Sequence, residues 1–434
     1  MSGLDTEITN AEVAFDNQRL KMPLRISSGL ITELTQATAS VTVEVGGRRA
    51  VGFGAIYLSD LWAWPDPALS HDKRDRMLRE FCREIAAKLA DVCGPPAHPL
   101  ELGLRLHMHC AGVGAGWGPR RSHVPAAMPE LARAMCASTF DAAIHDAVGR
   151  ALGTSAFEFY QDADAMASAD TFFPKSGACR AIRRMLLSPP RMAFDAWLVV
   201  GKDDSLDRDL APWVRERGYH AFKLKTLGRD PAADAGRTVE LYRWARRAGV
   251  AKPRISIDSN EGNPDAASVA EYLDRVRAAD REAFDAIEYL EQPTSRDIEL
   301  HRFDWREVAR RKPVVLDEGL VELATLRAAV EQGWSGIAIK TCKGHSFCLA
   351  AAAWAHEHGM VVTIQDLTNP GIALIHSALL AAHVPSINGV ELNSPQFTPE
   401  ANAKWLPRLG ALFEPHDGVH RISLPMPVGL GSRM

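Results

Sequence analysis

Two hydrophobic rhythms divide the chain. Near its start, Ala39 to Val45 (ASVTVEV) alternates β-branched with polar residues and runs into Gly46-Gly47, so the first 60 residues predict a strand meander. A helical period follows. Met77, Leu78, Phe81, Ile85, Leu89 and Val92 recur every three to four residues between Ser70, a good helix cap, and Gly94, a good helix stop. A second helix is predicted from Pro129 to Gly153, and residues 160–190, without clear period, read as a long connection. From about residue 193 the rhythm changes to short apolar runs that each end in a polar residue. These are FDAWLVVG near Gly201, FKLK at Lys225, RISID at Asp258, IEYLE at Glu291, VVLD at Asp317, GIAIK at Lys340, VVTIQ at Gln365 and GVEL near Glu391. They stand about 27 residues apart, room for one strand and one helix. Continuous apolar runs mean strands buried on both faces. Eight such units predict an α/β architecture, a parallel (β/α)₈ barrel, in which the polar strand ends converge on one face.

Composition narrows the possible partners. The 434 residues are 46% hydrophobic and 24% charged, ordinary for a globular chain. With 50 Lys and Arg against 54 Asp and Glu, the net charge of −4 offers no basic field for nucleic acid or an anionic membrane. The longest apolar run, Phe347 to Ala355, is about half of what a membrane span needs. The N-terminal MSGLDTEITNAEVAF has acids where a signal peptide is basic, so a cytoplasmic location is expected. Seven scattered cysteines without any CxxC indicate neither a disulfide framework nor a zinc ribbon. Gly112 to Gly118 has Trp117 where the last glycine of a phosphate-cradling GxGxxG would fall, and reads as a surface loop or lid.

The strand ends carry the chemistry. Asp258, Glu291 and Asp317 close three consecutive strands, and carboxylates that close repel unless a cation joins them. Oxygen-only ligation without His or Cys suits Mg²⁺ rather than Zn²⁺. Glu318 follows Asp317, but strand alternation sends neighbours to opposite sides, so Asp317 is the expected ligand. The preceding strand places Lys223 and Lys225 on one face, and the following one ends in Lys340. Like charge and partial burial lower a lysine pKa, so Lys225 is expected to be neutral enough to take a proton, with Lys223 depressing it. Removing a proton α to a carboxylate gives an enediolate, which needs a divalent ion and cationic side chains nearby.

The set FKLK, IDSN, EYLEQP, LDE and IAIKTCKG resembles the enolase superfamily and, within it, the muconate lactonizing enzyme subgroup of mandelate racemase/muconate lactonizing enzyme-like proteins. The resemblance spans most of the chain and includes FDAAIHDAVGRALG, Phe140 to Gly153, in a capping region. It implies an α+β capping domain over residues 1–165, a connection over 166–190, the barrel over 191–393, and a C-terminal segment, 394–434, packing back on the cap. It implies that Asp258, Glu291 and Asp317 bind Mg²⁺, that Asn260 lies in the same site, and that Lys225 and Lys340 form an acid/base pair across the substrate, assisted by Lys223. A small-molecule carboxylate substrate and a homo-oligomer are expected.

Departures from the family pattern bear on the reaction. Gln365-Asp366 stands where the mandelate racemase subgroup has His, and Glu391-Leu392-Asn393 replaces the Asp-x-Asp of dipeptide epimerases. Gln365, Asp366, Glu391 and Asn393 are therefore candidate substrate contacts. Gly344-His345 replaces the usual Gly-Gly, which either brings an imidazole near the site or leaves a structural histidine. RISSGLI, from Arg25 to Ile31, and the stretch from Leu58 to Trp64 correspond to loops that close over the substrate. Racemisation, epimerisation or cycloisomerisation fits two opposed lysines, with acid-sugar dehydration as an alternative. A Schiff-base aldolase on Lys225 or Lys340 and a silent carboxylate-binding barrel are the rivals. His107-x-His109 precedes the barrel, and His356-Glu-His358 lacks the spacing of a zinc helix, so neither supports a zinc hydrolase.

Overall fold

The structure is a computed structural model and describes residues 4–26, 28–112, 128–162, 166–423 and 425–433. The expected lid from Gly112 to Gly118 falls almost entirely outside the described residues.

The meander is a three-stranded antiparallel sheet: β1 (Thr6–Ile26), β2 (Gly29–Val45) and β3 (Arg48–Leu58), in that order. β2 lies in the middle and buries Ala37, Ala39, Val41 and Val43. Against the sheet pack α1 (His71–Cys93) and α3 (Glu130–Leu152), with α2 (Pro99–Gly112) packed on both of these helices. The Ser70 hydroxyl accepts the Lys73 N–H and Gly94 ends α1 at φ 71°, so both of its expected ends are met. The backbone of α3 runs directly over β3. A Cβ on Gly52 would lie 2.1 Å from Ala147 N and one on Gly54 2.0 Å from Thr139 O, so only glycine allows that approach.

The second rhythm gives β4 (Trp197–Val200), β5 (Ala221–Lys225), β6 (Arg254–Asp258), β7 (Ile287–Glu291), β8 (Val314–Leu316), β9 (Gly336–Lys340) and β10 (Val361–Gln365). They form one parallel sheet in chain order, with helices between them. Trp197, Ala221, Tyr289, Val315 and Ala338, from five strands, meet in a separate apolar cluster on one face. Stepping two residues on along a strand returns to the same face, so Lys223, Glu291 and Lys340 stand in a layer above that apolar floor, joined by Asp317 just past the end of β8.

The eighth unit differs from expectation. Glu391 makes only an isolated parallel bridge to Gln365, and no strand forms there. The segment instead holds both sheet edges through side chains. Asn388 Oδ1 accepts Ile364 N–H at 3.1 Å and Asn388 Nδ2 donates to Ile364 O, while Gln396 takes the N–H and C=O of Val199. Two amides satisfying backbone groups explain why a regular strand is not needed. The 160–190 stretch also has more structure than its composition suggested, with α4 (Ala178–Met185) packed beside α5 (His345–Glu357). At the C-terminal end, Leu430 N–H donates to Asp146 Oδ1 in α3, and Ser432 Oγ to Asp146 Oδ2. All seven cysteines are buried free thiols. No helix among the described residues is long and apolar enough to cross a membrane.

Candidate active site

The layer above the apolar floor is a network of carboxylates and ammonium groups. Lys225 is the register partner of Asp258, and Asp258 of Glu291, so three strands bring these side chains together. Lys223 Nζ lies 2.7 Å from Glu291 Oε2, 3.2 Å from Asp258 Oδ2 and 3.1 Å from Glu391 Oε2. Lys225 Nζ donates to Asp258 Oδ2 and, at 3.0 Å, to Asn260 Oδ1. Across the sheet, Lys340 Nζ sits 2.6 Å from Asp317 Oδ2 and 3.6 Å from Glu291 Oε1. Lys223, Lys225, Lys340, Asn260, Asp366, Glu391 and Asn393 line one cavity. Its other wall comes from the β1–β2 hairpin and the loop after β3: Leu24, Ile26, Ile31, Leu34 and Trp62.

Gln365 does not line that cavity. It donates through Nε2 to Glu291 and acts as a support beneath it. Glu391 lines the cavity but is engaged, taking the Tyr289 hydroxyl at 2.6 Å as well as Lys223. His345 is displaced altogether. It begins α5 and meets the Tyr160 hydroxyl at 2.8 Å, away from the lysines.

Sequence reasoning missed two participants, Glu318 and Lys343, whereas a third, Trp62, lies in the stretch expected to close over the site. Glu318 is buried like Asp317, and its Oε1 accepts Trp62 Nε1–H at 2.9 Å and Asn260 Nδ2 at 3.0 Å. The alternation rule misled here because β8 ends at Leu316, and both acids follow it in loop backbone. Lys343 is fully buried and donates to Asp317 O at 2.6 Å, with Asp317 Oδ1 at 3.0 Å. A lysine three residues past a strand end gives no periodic signal. Trp62 lays its ring 4.9 Å from Lys340 Nζ.

Electrostatics sets the charge of the two lysines buried deepest in the layer, Lys223 and Lys340. Burial by itself would depress the Lys223 ammonium, but Glu291, Glu391 and Asp258 outweigh it and push its pKa well up. Lys340 is pushed up in the same way, chiefly by Asp317 and Glu291 against its burial. The lysines in turn overcome burial at Asp258 and hold it at about 2. Glu291 goes the other way, to about 8, because burial and the Asp258 charge outweigh Lys223 and Lys340. Burial raises Glu318 to about 7, with Asp317 and Asp258 adding to it. The layer holds more carboxyl groups than ammonium groups, and Glu291 and Glu318 absorb the excess by shifting toward their neutral forms.

Among the described residues, no three acidic, His or Cys side chains are gathered about a common point as a ready-made metal site. The reason is visible in the distances: the ammonium groups of Lys223 and Lys340 stand between Asp258, Glu291 and Asp317, in the place of a cation. An all-oxygen donor set of closely spaced carboxyl groups fits a hard divalent ion such as Mg²⁺.

Residues 205–434 match the family model described as Enolase C-terminal domain-like. No curated protein sequence matches the chain. Solved structures share its fold at low identity. Muconate lactonizing enzyme from Pseudomonas fluorescens, complexed with muconolactone, is 17% identical over 98% of this chain and 96% of its own, with a TM-score of 0.62. A dipeptide epimerase from Enterococcus faecalis, complexed with Mg and the dipeptide L-Leu-L-Tyr, is 16% identical over 98% and 99%, with a TM-score of 0.64. An enolase from Bradyrhizobium, complexed with magnesium and mandelic acid, is 18% identical over 98% and 95%, with a TM-score of 0.63.

Proposed function

Since the chain belongs to the Enolase C-terminal domain-like family, matched over more than half its length, we propose that it abstracts a proton α to the carboxylate of a small acid, with Mg²⁺, and racemises, epimerises or cycloisomerises its substrate. The observation that carries this reading is the convergence of Lys225 and Lys340, from strands separated by three others, on one cavity above a carboxylate layer. Asp258, Glu291 and Asp317 would hold the metal. When bound, Mg²⁺ supplies positive charge to the substrate carboxylate and competes for the carboxylates that keep the lysines protonated.

The chain's own groups do the rest. Lys225 Nζ, oriented by Asn260 Oδ1, takes and keeps the α-proton on one face, while the Lys340 ammonium, under the Trp62 ring, delivers one of its own protons on the other. Lys223 stays protonated among Glu291, Glu391 and Asp258 and contributes fixed positive charge toward the oxygens where negative charge develops. The apolar hairpin residues exclude water from the cavity. Residues 388–396 take the place of the eighth strand and close the barrel, with 1–165 as cap, 166–190 as connection and 394–434 returning to the cap. Support for that division comes from the bonds of Asn388 and Gln396 to both sheet edges and of Leu430 to Asp146.

Proton NMR in D₂O on pooled hydroxy acids, sugar acids, N-acyl amino acids and dipeptides tests the reading. Mg²⁺-dependent loss of an α-proton signal is expected. Metal-independent trapping of a substrate by borohydride would replace the proposal with a Schiff-base lysine.

A further inference from the structure

Three arginines from distant parts of the chain line one cleft of about 380 Å³ that shares no residue with the lysine cavity. Arg150 stands in the last turn of α3, Arg408 on a helix, Leu406–Phe413, and Arg433 near the C-terminal end. Pro425, Pro427, Val428 and Gly431 complete the lining, so no carboxylate enters it. A helix dipole accounts for an arginine at the end of α3 but not for the state of its donors. Arg150 Nη1 is buried without a hydrogen-bond partner, and the acid it faces, Asp146 Oδ2, is 4.0 Å away. Asp146 is engaged elsewhere: it accepts the N–H groups of Phe53 and Leu430 at 3.0 and 2.9 Å, and the Ser432 hydroxyl. Arg408 and Arg433 form no ion pair among the described residues.

The guanidiniums are also held in place. Arg150 and Arg433 both pack on the Phe53 ring, with Cζ 5.7 and 5.5 Å from its centroid. Stacking occupies the flat face of a guanidinium and leaves its edge N–H groups open. Burial draws the Arg150 pKa below its ordinary value against the pull of Asp146, and the Arg433 charge adds to the fall. Like charges gathered in this way, with a buried donor unmet, are completed by an anion. We propose that the cleft binds the phosphate group of a small phosphate monoester, whose apolar body lies against Pro425, Pro427 and Val428. A dianion with several acceptor oxygens suits three planar forks, whereas a carboxylate satisfies one. The volume is that of a small-molecule site. The bound group would tie α3 to the C-terminal segment.

Calorimetry without Mg²⁺ at pH 7.5 and constant ionic strength, using phenyl phosphate, inorganic phosphate and benzoate, tests the site. Phenyl phosphate is mostly dianionic at that pH and is expected to bind about tenfold tighter than benzoate, with inorganic phosphate between them. R408A and R433A should each weaken phenyl phosphate about tenfold. Both side chains are exposed, and urea denaturation would verify that the variants fold. No binding of phenyl phosphate, no preference over benzoate, or unchanged affinity in both variants overturns the site. Binding lost in K340A but kept in R408A and R433A would place the dianion at the lysines and also overturn it.

Discussion

The six residues that follow Lys340 connect two buried polar clusters of opposite character. On one side, Lys340, Lys223 and Lys225 meet Asp258, Glu291, Asp317 and Glu318 along a cavity. On the other, His345 and Ser346 at the start of α5 meet Asp141, His145 and Tyr160 from the capping side. In this second cluster Ser346 N–H and Oγ go to the two oxygens of Asp141, and the Tyr160 hydroxyl joins His145 Nδ1 to His345 Nε2 at 2.7 and 2.8 Å. Asp141, from a different part of the chain, thereby caps α5. None of these side chains lines the cavity that holds the lysines. The contrast teaches that burying polar groups does not mark a site. Carboxyl groups in excess of the ammonium groups and acceptors left open toward a cavity do, because those are the features a ligand completes.

The sharpest way to separate the clusters is to remove one lysine and one histidine. K340A is expected to slow α-proton exchange about a thousandfold or more, the usual contribution of a positioned acid or base. H345F should leave exchange within about threefold, since Tyr160 and not the cavity is its partner. NMR exchange rates on the two purified variants check both, and a large loss of exchange in H345F would join the clusters into one machine.

Breaking the seam should show in stability. D141A removes the partner of Ser346 N–H and Oγ and of His145, 3.2 Å away, inside a fully buried interface. A loss of about 3 kcal/mol is expected, the upper range for leaving buried hydrogen-bonding groups without their partner, read from urea denaturation. Mg²⁺ affinity should stay near that of the parent protein. Equal stability would mean that α5 keeps its N-terminus without help from α3.

Acid attacks the same region through its histidines. Burial holds His345 and His107 below their ordinary value, His98 and His420 at about 4, and His376 at about 3. Their nitrogens charge readily only in the unfolded chain, near pH 6.5. Above that pH neither state is protonated there and stability is unaffected. As pH falls from 6.5 toward 4 the unfolded state binds the extra protons, so stability drops by up to roughly 1.4 kcal/mol per pH unit for each such histidine. Urea midpoints at pH 7.5 and 5.5 should therefore differ. Glu291, Glu318 and Asp366, pushed up to about 8, 7 and 7, take up protons in the folded chain over the same range and offset part of this loss, so coincident midpoints would mean that the carboxyls cancel the histidines.

Much of this was legible in the residue order. Continuous apolar runs announced seven parallel strands, and the period of two put Lys223 and Lys225 on one face because strand geometry enforces it. Where regular geometry stops, legibility stops too. Glu318 was dismissed by a rule that holds only inside a strand, and β8 had already ended. The eighth strand failed because Asn388 and Gln396 do by side chain what a ladder does by backbone, and no hydrophobic pattern encodes that. Lys343 and Asp366 depend on contacts with distant segments, so their environment is a product of packing.

Trp62 offers the finest probe, because it touches the charged cluster from the capping side with two separable parts. Its indole N–H donates to Glu318 Oε1, and its ring faces Lys340 Nζ. W62F keeps a ring and removes the donor. Asn260 Nδ2 still serves Glu318 Oε1, so the carboxylate is not stranded and the loss should be near 1 kcal/mol, about fivefold in kcat/KM. W62A removes the ring as well, exposing Lys340 to water, and should cost about tenfold more. If W62F alone equals W62A, the hydrogen bond to Glu318 and not the aromatic cover is what couples the cap to the lysine. The line between a catalytic cluster and a structural seam would then pass through Glu318 itself.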